Sequence, residues 1–149
     1  MSTIVVGCDE AAFKMKEEVK KHLEEKGYDV IDVGVYNEDP SLYPATAEKL
    51  CREIIDGKAP RGVLMCGTGI GMAITANKMP GIRAAVCHDI FSTERSRKSN
   101  DCQVMCMGAR IIAPQTALML LDRWLECDFA GGGSTEKVEL MNEIDKKYR

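Results

Sequence analysis

Short apolar runs alternate with amphipathic stretches along the chain. The apolar runs are rich in Val, Ile and Met, as buried strands are, and they predict five strands at residues 3–8, 30–33, 62–65, 82–87 and 103–107. The stretches between and after these runs have helical character, and they predict helices at residues 11–26, 43–56, 69–78, 92–98, 114–126 and 134–147. The clearest pattern places Ala12, Met15, Val19 and Leu23 on one side of the first helix. Pro114 stands where the first turn of a helix prefers proline.

Strands separated by helices predict the α/β class. We expect a doubly wound, five-stranded parallel sheet, which is Rossmann-like with three α/β/α layers, followed by a C-terminal helix. A length of 149 residues suits one domain spanning residues 1–149. Ligands of such folds bind at the carboxyl ends of the strands, near the switch in strand order. The loops after Cys8, Met65, Cys87 and Met107 are therefore expected to form the site.

Composition narrows the classes of partner. The chain is 45% hydrophobic and 29% charged, with a net charge of −3 and no basic block, so a nucleic-acid partner is not expected. It has no apolar run of about 18 residues, so no membrane span is expected. Residues 1–6 lack a basic start and a long apolar segment, which argues against a signal peptide and for a cytoplasmic location.

Seven cysteines occur in the sequence, and their spacing argues against metal binding and disulfides. The number is odd and the expected location is reducing, so a disulfide framework is not predicted. Only Cys102 and Cys106 are close together, while His22 and His88 lie far apart, so no metal site is predicted. Most of the cysteines are expected to act as small apolar core residues. A redox thiol protein is disfavoured because no Cys-x-x-Cys pair appears.

The loop after the third strand carries the candidate chemistry. It reads Cys66-Gly67-Thr68-Gly69-Ile70-Gly71, and its three alternating glycines let backbone amides point into one concave space. With the following helix N-terminus, these amides suit an anion or a developing oxyanion, although a tight turn without a ligand is the alternative. The loop lacks the Gly-Lys-Ser/Thr ending of a Walker loop, and its third glycine is misplaced for a dinucleotide fingerprint. Cys66 lies where a helix N-terminus favours the thiolate, the alternative being a buried structural cysteine.

The segment from Cys66 to Ala84 resembles the signature of B-type ribose-5-phosphate isomerases and galactose-6-phosphate isomerase subunits. The matching motifs are the Cys66 loop, Ala76-Asn77-Lys78 and Pro80-Gly81-Ile82-Arg83-Ala84. The resemblance covers nearly the whole chain and includes Gly7-Cys8-Asp9, residues 30–34, Tyr43-Pro44, Asn100-Asp101 and Gly108-Ala109-Arg110. It implies aldose–ketose isomerisation of a sugar phosphate through a cis-enediol, with ribose 5-phosphate and ribulose 5-phosphate of the pentose phosphate pathway as the default pair. No metal or organic cofactor is expected. A homodimer or tetramer with its active site at the subunit interface is expected.

The resemblance also implies roles for single residues. Cys66 removes the proton between C1 and C2, and Thr68 assists at the oxygens. Amides between Gly67 and Gly71 stabilise the enediolate, and Arg110 binds phosphate. The predicted catalytic residues are Cys66, Thr68, Asp9 and Glu10; the predicted substrate-binding residues are Cys8, Tyr43, Gly67, Gly69, Ile70, Gly71, His88, Ser99, Asn100, Arg110 and Lys137.

Three departures from the family pattern leave the substrate open. Glu10 and Ser99 stand where ribose-5-phosphate enzymes usually carry histidines, and the histidine at position 99 is generally assigned to opening the furanose ring. Either His88 or Glu10 opens the ring here, or the substrate arrives open. A tetrose 4-phosphate cannot close a five-membered ring because its O4 carries the phosphate, so an erythrulose-4-phosphate isomerase of tetritol catabolism is the alternative. The alternative to an acid/base role for Glu10, and the slightly favoured one, is favourable charge at the first helix N-terminus.

The third departure concerns the phosphate. Gly133 and Lys137 replace family arginines, which leaves Arg110 and Lys137 to bind a phosphate or points to an unphosphorylated sugar. An alternative of another class is a non-catalytic sugar-phosphate-binding subunit, against which the presence of Cys66 argues.

The other polar and apolar side chains have structural interpretations. The Lys/Glu-rich stretch from Lys14 to Lys26, including His22, is expected to be a solvated helix face. Packing in the core or in a dimer interface is expected for Met15, Met72, Met119 and Trp124.

Overall fold

Five parallel strands form one sheet with helices on both faces. The structure is a computed structural model that describes residues 2–149. The strands are β1 (Thr3–Cys8), β2 (Asp29–Asp32), β3 (Arg61–Cys66), β4 (Ala84–Val86) and β5 (Val104–Gly108), in the order β2-β1-β3-β5-β4. The helices are α1 (Phe13–Glu25), α2 (Tyr43–Ile55), α3 (Ile70–Ala76), α4 (Ile90–Lys98), α5 (Pro114–Glu126) and α6 (Thr135–Lys147), with short 3-10 turns at Glu10–Ala12 and Gly132–Ser134. The predicted α/β fold is confirmed.

Alternation along the strands builds two separate cores. In β3, Val63 and Met65 face the layer that contains α1 and α5, whereas Leu64 and Cys66 face the layer that contains α2 and α3. The same period of two residues runs through β1 and β5, because successive side chains of a strand point to opposite faces. Trp124, fully buried from α5, is among the largest residues of the first core. All seven cysteines are buried and none forms a disulfide. They pack in the interior as small apolar residues do.

Some helices and strands begin or end at residues other than the predicted ones, because local backbone conformation or side-chain hydrogen bonds set their ends. Helix α3 begins at Ile70 rather than Gly69, since Gly69 has a φ of 79° and cannot continue a right-handed helix. Strand β4 is shorter than predicted, because the Asn77 side chain bonds both the N–H and the carbonyl of Ala84. Helix α4 begins earlier than predicted, where the Asp89 carboxylate accepts the Ser92 N–H at 2.7 Å.

Helix α6 is attached to the amino edge of the sheet. Asn142 accepts a hydrogen bond from Arg83 Nη1 at 2.8 Å, and Asp145 accepts the Gly81 N–H at 2.8 Å. Both contacts lie just before β4 begins, so α6 covers the edge opposite the strand ends. Within residues 2–149, every helix is too short or too polar to span a lipid bilayer.

The prediction of a solvated α1 face is wrong at two positions. Lys16 is fully buried, and its Nζ lies 2.8 Å from Asp32 Oδ2 and 2.7 Å from the Val35 carbonyl. His22 Nε2 lies 2.7 Å from Asp122 Oδ1 of α5, with only 23% of its side chain exposed. Charge composition alone cannot distinguish a lysine in water from one that reaches a partner across the sheet edge. Among the methionines, Met15 and Met72 are in the cores, whereas Met119 is 71% exposed.

The buried Lys16–Asp32 pair fixes the segment after β2, and its loss should be costly. We expect Lys16→Met to lower the free energy of unfolding by about 3–5 kcal/mol, because it leaves the Asp32 carboxylate buried without its main partner. Chemical denaturation followed by circular dichroism measures this change.

The matched control is Lys21→Met on the same helix. Lys21 pairs with Glu25 at 3.9 Å, and the two side chains are 79% and 63% exposed. Its loss should change stability by less than about 0.5 kcal/mol. Equal effects of the two substitutions would contradict a structural role for the buried pair.

Candidate active site

The carboxyl ends of four strands bring the predicted loops to one edge. Asp9 follows β1, Cys66 ends β3, His88 lies just after β4, and Arg110 follows β5. Strands β1 and β3 are the pair from which the chain continues toward opposite sides of the sheet. The Asp9 and Cys66 loops therefore lie at the switch in strand order, where a parallel sheet leaves a crevice.

The loop from Cys66 to Gly71 places a thiol beside backbone N–H groups. Cys66 is 5% exposed, and its Sγ accepts the Gly69 N–H at 3.1 Å. Thr68 Oγ1 accepts the Ile70 N–H at 3.2 Å. A backbone N–H aimed at sulfur is placed to stabilise negative charge on it.

Further N–H groups of this loop are available to a ligand. Those of Gly67, Thr68 and Gly71 donate to no acceptor within residues 2–149. They lie at the start of α3, where unpaired amides and the helix dipole favour an anion. The loop can therefore hold a developing oxyanion close to the Cys66 sulfur.

Two glycines let the backbone after β5 pack directly on this loop. A Cβ atom added to Gly108 would lie 2.7 Å from the Thr68 Cα, and one added to Gly69 would lie 3.1 Å from the Met107 carbonyl carbon. Two hydrogen bonds join the segments: Ala109 N–H donates to Cys66 O at 2.8 Å, and Arg110 N–H donates to Gly67 O at 3.0 Å. The segment 108–110 is thus the support on which the Cys66 loop rests.

Tyr43 forms one wall beside the loop. A Cβ atom added to Gly71 would come within 2.4 Å of the Tyr43 ring, so only glycine leaves room for the ring at this position. Tyr43 is the first residue of α2 and is 37% exposed. Its ring covers the start of α3 on the side of the predicted sugar site.

Two carboxylates after β1 differ in their surroundings. Burial raises the pKa of Asp9, against the opposing effects of the Ala12 N–H that it accepts and of the more distant Arg110. Glu10 accepts the Ser41 hydroxyl at 2.6 Å, and this bond lowers the pKa of Glu10. Of the two carboxylates, Asp9 therefore holds a proton more readily, while Glu10 stays ionised to lower pH.

Ser41 is a site residue that sequence reasoning missed. It lies in the loop before α2, 31 positions from its partner Glu10. A serine in a loop carries no distinguishing signal, and only the folded chain shows what it contacts.

Arg110 and His88 approach the loop from the β5 side. The Arg110 side chain is exposed and lies over Gly67, where an added Cβ would be 3.5 Å from Nη1. His88 Nε2 accepts the Gly108 N–H at 2.8 Å, so this nitrogen faces the protein rather than an open cleft.

The Cys8 side chain does not face the site. It is fully buried, its Sγ lies 3.8 Å from the Val35 carbonyl, and burial raises the pKa of its thiol to about 12. Cys8 therefore offers its backbone rather than its thiol to this edge, because position at the end of a strand does not reveal which face a side chain occupies.

Three predicted binding residues lie at the opposite edge of the sheet. Ser99 and Asn100 precede β5, whereas Arg110 follows it, and a five-residue strand separates these ends by about 13 Å. Lys137 lies in the first turn of α6, and the chain is held at the same amino edge before this helix, where Ala130 N–H donates to Lys98 O at 3.1 Å, and within it at Asp145. One protomer therefore does not bring Ser99, Asn100 and Lys137 to Cys66.

The Ser99 side chain and the Asn100 main chain are already engaged. Ser99 Oγ accepts from Arg95 Nη1 at 3.2 Å, and the main-chain carbonyl of Asn100 accepts from Arg83 Nε at 3.3 Å.

Across the described part of the chain, no three His, Cys, Asp or Glu side chains converge as metal ligands would.

The site as built suits proton transfer beside a developing anion, on an α/β sheet of Rossmann-like form. Comparison with known proteins agrees with this class. The family described as Ribose/Galactose Isomerase matches residues 4–141. The chain therefore belongs to this family, and it is an intramolecular aldose–ketose isomerase of sugar phosphates.

Individual relatives cover almost the whole chain. The chain is 51% identical over 146 residues to a protein of Listeria innocua named Ribose-5-P isomerase B, covering 98% of this chain and 99% of that one. It is 48% identical over 143 residues to a D-erythrulose-4-phosphate isomerase of Pectobacterium atrosepticum, covering 93% and 92%. A solved structure of Clostridium thermocellum Ribose-5-Phosphate Isomerase B superposes with a TM-score of 0.97 at 37% identity, covering 99% of each chain.

Proposed function

We propose that the chain interconverts ribose 5-phosphate and ribulose 5-phosphate through a cis-enediolate, with Cys66 as the base. The observation that carries this proposal is the Cys66 loop, where the sulfur lies within 3.1 Å of one backbone N–H and beside others that have no protein acceptor. The relative with 51% identity is named for the same substrate.

The reaction moves one proton between two carbons. With the ring open, the Cys66 thiolate removes the proton from C2, and the electron pair forms the C1–C2 double bond while the carbonyl O1 becomes an oxyanion. Loop amides stabilise this charge. Asp9, whose pKa is raised by burial, transfers the hydroxyl proton from O2 to O1. The Cys66 thiol then returns its proton to C1, which gives the ketose and restores the thiolate.

Arg110 is the group proposed to bind the phosphate. Its guanidinium lies over Gly67, at the mouth of the loop, and is exposed. Arginine presents paired N–H donors that match two phosphate oxygens.

Isomerisation of erythrulose 4-phosphate is a second candidate that one set of contacts favours. Ser99 has no acidic group and accepts a hydrogen bond from Arg95, while His88 Nε2 accepts one from Gly108. Glu10 is held ionised by Ser41. Ser99 and neutral His88 hold only weakly acidic protons, on a hydroxyl and on Nδ1, and ionised Glu10 holds none. A strong proton donor to a ring oxygen is therefore lacking, and an acyclic tetrose phosphate does not require one. The relative with 48% identity is named for this substrate.

A second copy of the chain is proposed to complete the site. Ser99, Asn100 and Lys137 are remote from Cys66 within one protomer, yet all three carry groups suited to a sugar phosphate. Exposed apolar side chains surround the Cys66 loop, namely Leu42 at 81%, Ile70 at 55% and Ile74 at 56%. Burying them against a two-fold-related copy would bring the amino edge of the partner to the loop.

We also propose a cytoplasmic location. Seven unpaired thiols suit a reducing compartment, where cysteines stay free without special protection.

Replacing Cys66 with alanine tests the proposed base. We expect kcat to fall by about 10²–10⁴-fold, because general base catalysis contributes on that order. The matched control is Cys51→Ala, which removes a buried thiol from the same core cluster but away from the loop, and should keep nearly full activity. A Cys66→Ala protein with wild-type turnover would rule out the thiolate mechanism.

A panel of substrates identifies the sugar. We expect kcat/KM to be at least about tenfold higher for ribose 5-phosphate than for allose 6-phosphate or unphosphorylated ribose, a difference of about 1.4 kcal/mol in transition-state binding. Erythrulose 4-phosphate belongs in the same panel. Preference for it would show that the engaged Ser99 marks a substrate that needs no ring opening. Activity on the free sugar alone would remove the phosphate role of Arg110.

Mixing inactive variants tests the shared site. Cys66→Ala damages the strand-end half and Asn100→Ala the amino-edge half, so a mixed dimer of the two holds one intact site. After subunit exchange, about one quarter of wild-type activity should return, since half of the dimers are mixed and each contributes one of its two sites. A mixture of Cys66→Ala with Thr68→Ala is the control and should recover nothing. Failure of the first mixture to recover, in dimers shown to exchange, would contradict a site completed by the partner.

A further inference from the structure

We propose that His88 is a positioning residue, whose Nε2 accepts the Gly108 N–H and thereby holds the segment 108–110 against the Cys66 loop. The proposal rests on the proposed function in that this loop is where the chemistry occurs. It gives His88 a role different from contact with the substrate or ring opening.

The imidazole occupies a place that a strand carbonyl would otherwise take. Val104 N–H donates to Arg83 O at 3.3 Å, and the two-residue repeat of a parallel ladder would bring the Gly108 N–H to the carbonyl of Cys87. Strand β4 ends at Val86, and the Gly108 N–H donates to the His88 ring at 2.8 Å instead. The side chain thus extends the sheet by one hydrogen bond at its carboxyl edge.

This bond acts on the residue that supports the loop. Gly108 is opposite Cys66 in the ladder between β3 and β5, and a Cβ atom there would lie 2.8 Å from Gly67 O. The next two residues donate their N–H groups to Cys66 O and Gly67 O. A shift of Gly108 would therefore move the loop amides and Arg110 together, and small displacements of such donors cost rate.

The bond requires a neutral imidazole. A backbone N–H can only donate to a ring nitrogen without a proton, so the His88 proton lies on Nδ1. Burial lowers the pKa of His88, against the opposing charge of Asp89. Protonation would set an Nε2–H against the Gly108 N–H and break the bond.

Few charged or titratable groups lie on the segments around this bond. Cys87 and Asp89 flank His88, Arg110 is two residues beyond Gly108, and Cys66 is across the ladder. Burial raises the pKa of the Cys87 thiol, so it stays neutral where His88 titrates. Because the pKa of His88 is depressed, the acceptor form is complete above the ordinary histidine value of about 6.5 and is lost as the pH falls through the lower folded-state value.

Two substitutions separate the positioning role from proton chemistry. His88→Gln keeps an acceptor near the position of Nε2 and does not titrate, whereas His88→Leu fills similar space without an acceptor. We expect His88→Gln to retain kcat/KM within about threefold and His88→Leu to lose about tenfold or more. Below about pH 6.5, kcat/KM should fall more steeply in the wild type than in His88→Gln. His22→Gln is the control, since it removes the other histidine at the distant α1–α5 contact and should keep the wild-type profile.

Nuclear magnetic resonance gives a readout that does not depend on turnover. At pH 7 the nitrogen shifts of His88 should show a protonated Nδ1, and the Gly108 amide resonance should move as His88 titrates.

The proposal would be overturned if His88→Gln lost as much activity as His88→Leu, or if a folded His88→Leu kept full activity. A Gly108 amide resonance that does not move as His88 titrates would also overturn the proposal. Absence of turnover on every sugar phosphate would refute the proposed function. The resonance data would still show whether the hydrogen bond between Gly108 and His88 exists.

Discussion

The site depends on two backbone segments that pack against each other with no side chain between them. The loop after β3 rests on the residues after β5, with Gly69 against Met107 and Gly108 against Thr68 so close that a Cβ atom on either glycine would crowd backbone atoms. Two hydrogen bonds, from the N–H groups of residues 109 and 110, fix the position of the loop relative to the segment after β5. This contact orients the amides at the start of α3 and holds Cys66 beside them, so that oxyanion stabilisation is built into the backbone before a substrate arrives.

Most of the fold could be predicted from the sequence because its causes are local. Alternating apolar residues gave the strands, and the apolar stripe of α1 is buried at each of its four positions. The errors involve contacts between distant segments. Lys16 reads as a surface lysine among charged neighbours, yet it reaches Asp32, and His22 reaches Asp122 a hundred positions away. Pattern along a chain describes which face a residue occupies on average and not which partner it meets.

The site was predictable to the extent that it follows strand ends. Cys66, Thr68, Asp9, Glu10 and Arg110 all lie at the carboxyl edge, as a parallel sheet requires. Ser41 was missed because a loop serine has no signature, and the burial of the Cys8 thiol was not foreseen because strand ends have two faces. Ser99, Asn100 and Lys137 lie at the other edge, and their participation depends on a second copy whose arrangement no single-chain pattern encodes.

The proton at C2 of the substrate gives the most direct test of the account. Its exchange with solvent can be followed in deuterium oxide by proton NMR, with wild-type protein and with Cys66→Ala at equal concentration. If Cys66 is the base of an enediolate mechanism, the wild type incorporates deuterium at C1 of ribulose 5-phosphate whenever the Cys66 thiol exchanges with solvent before it returns its proton. The variant should lose turnover and exchange of the C2 proton together, each by about 10²–10⁴-fold. Exchange by Cys66→Ala at the wild-type rate would contradict the central claim, because another group would then remove the proton.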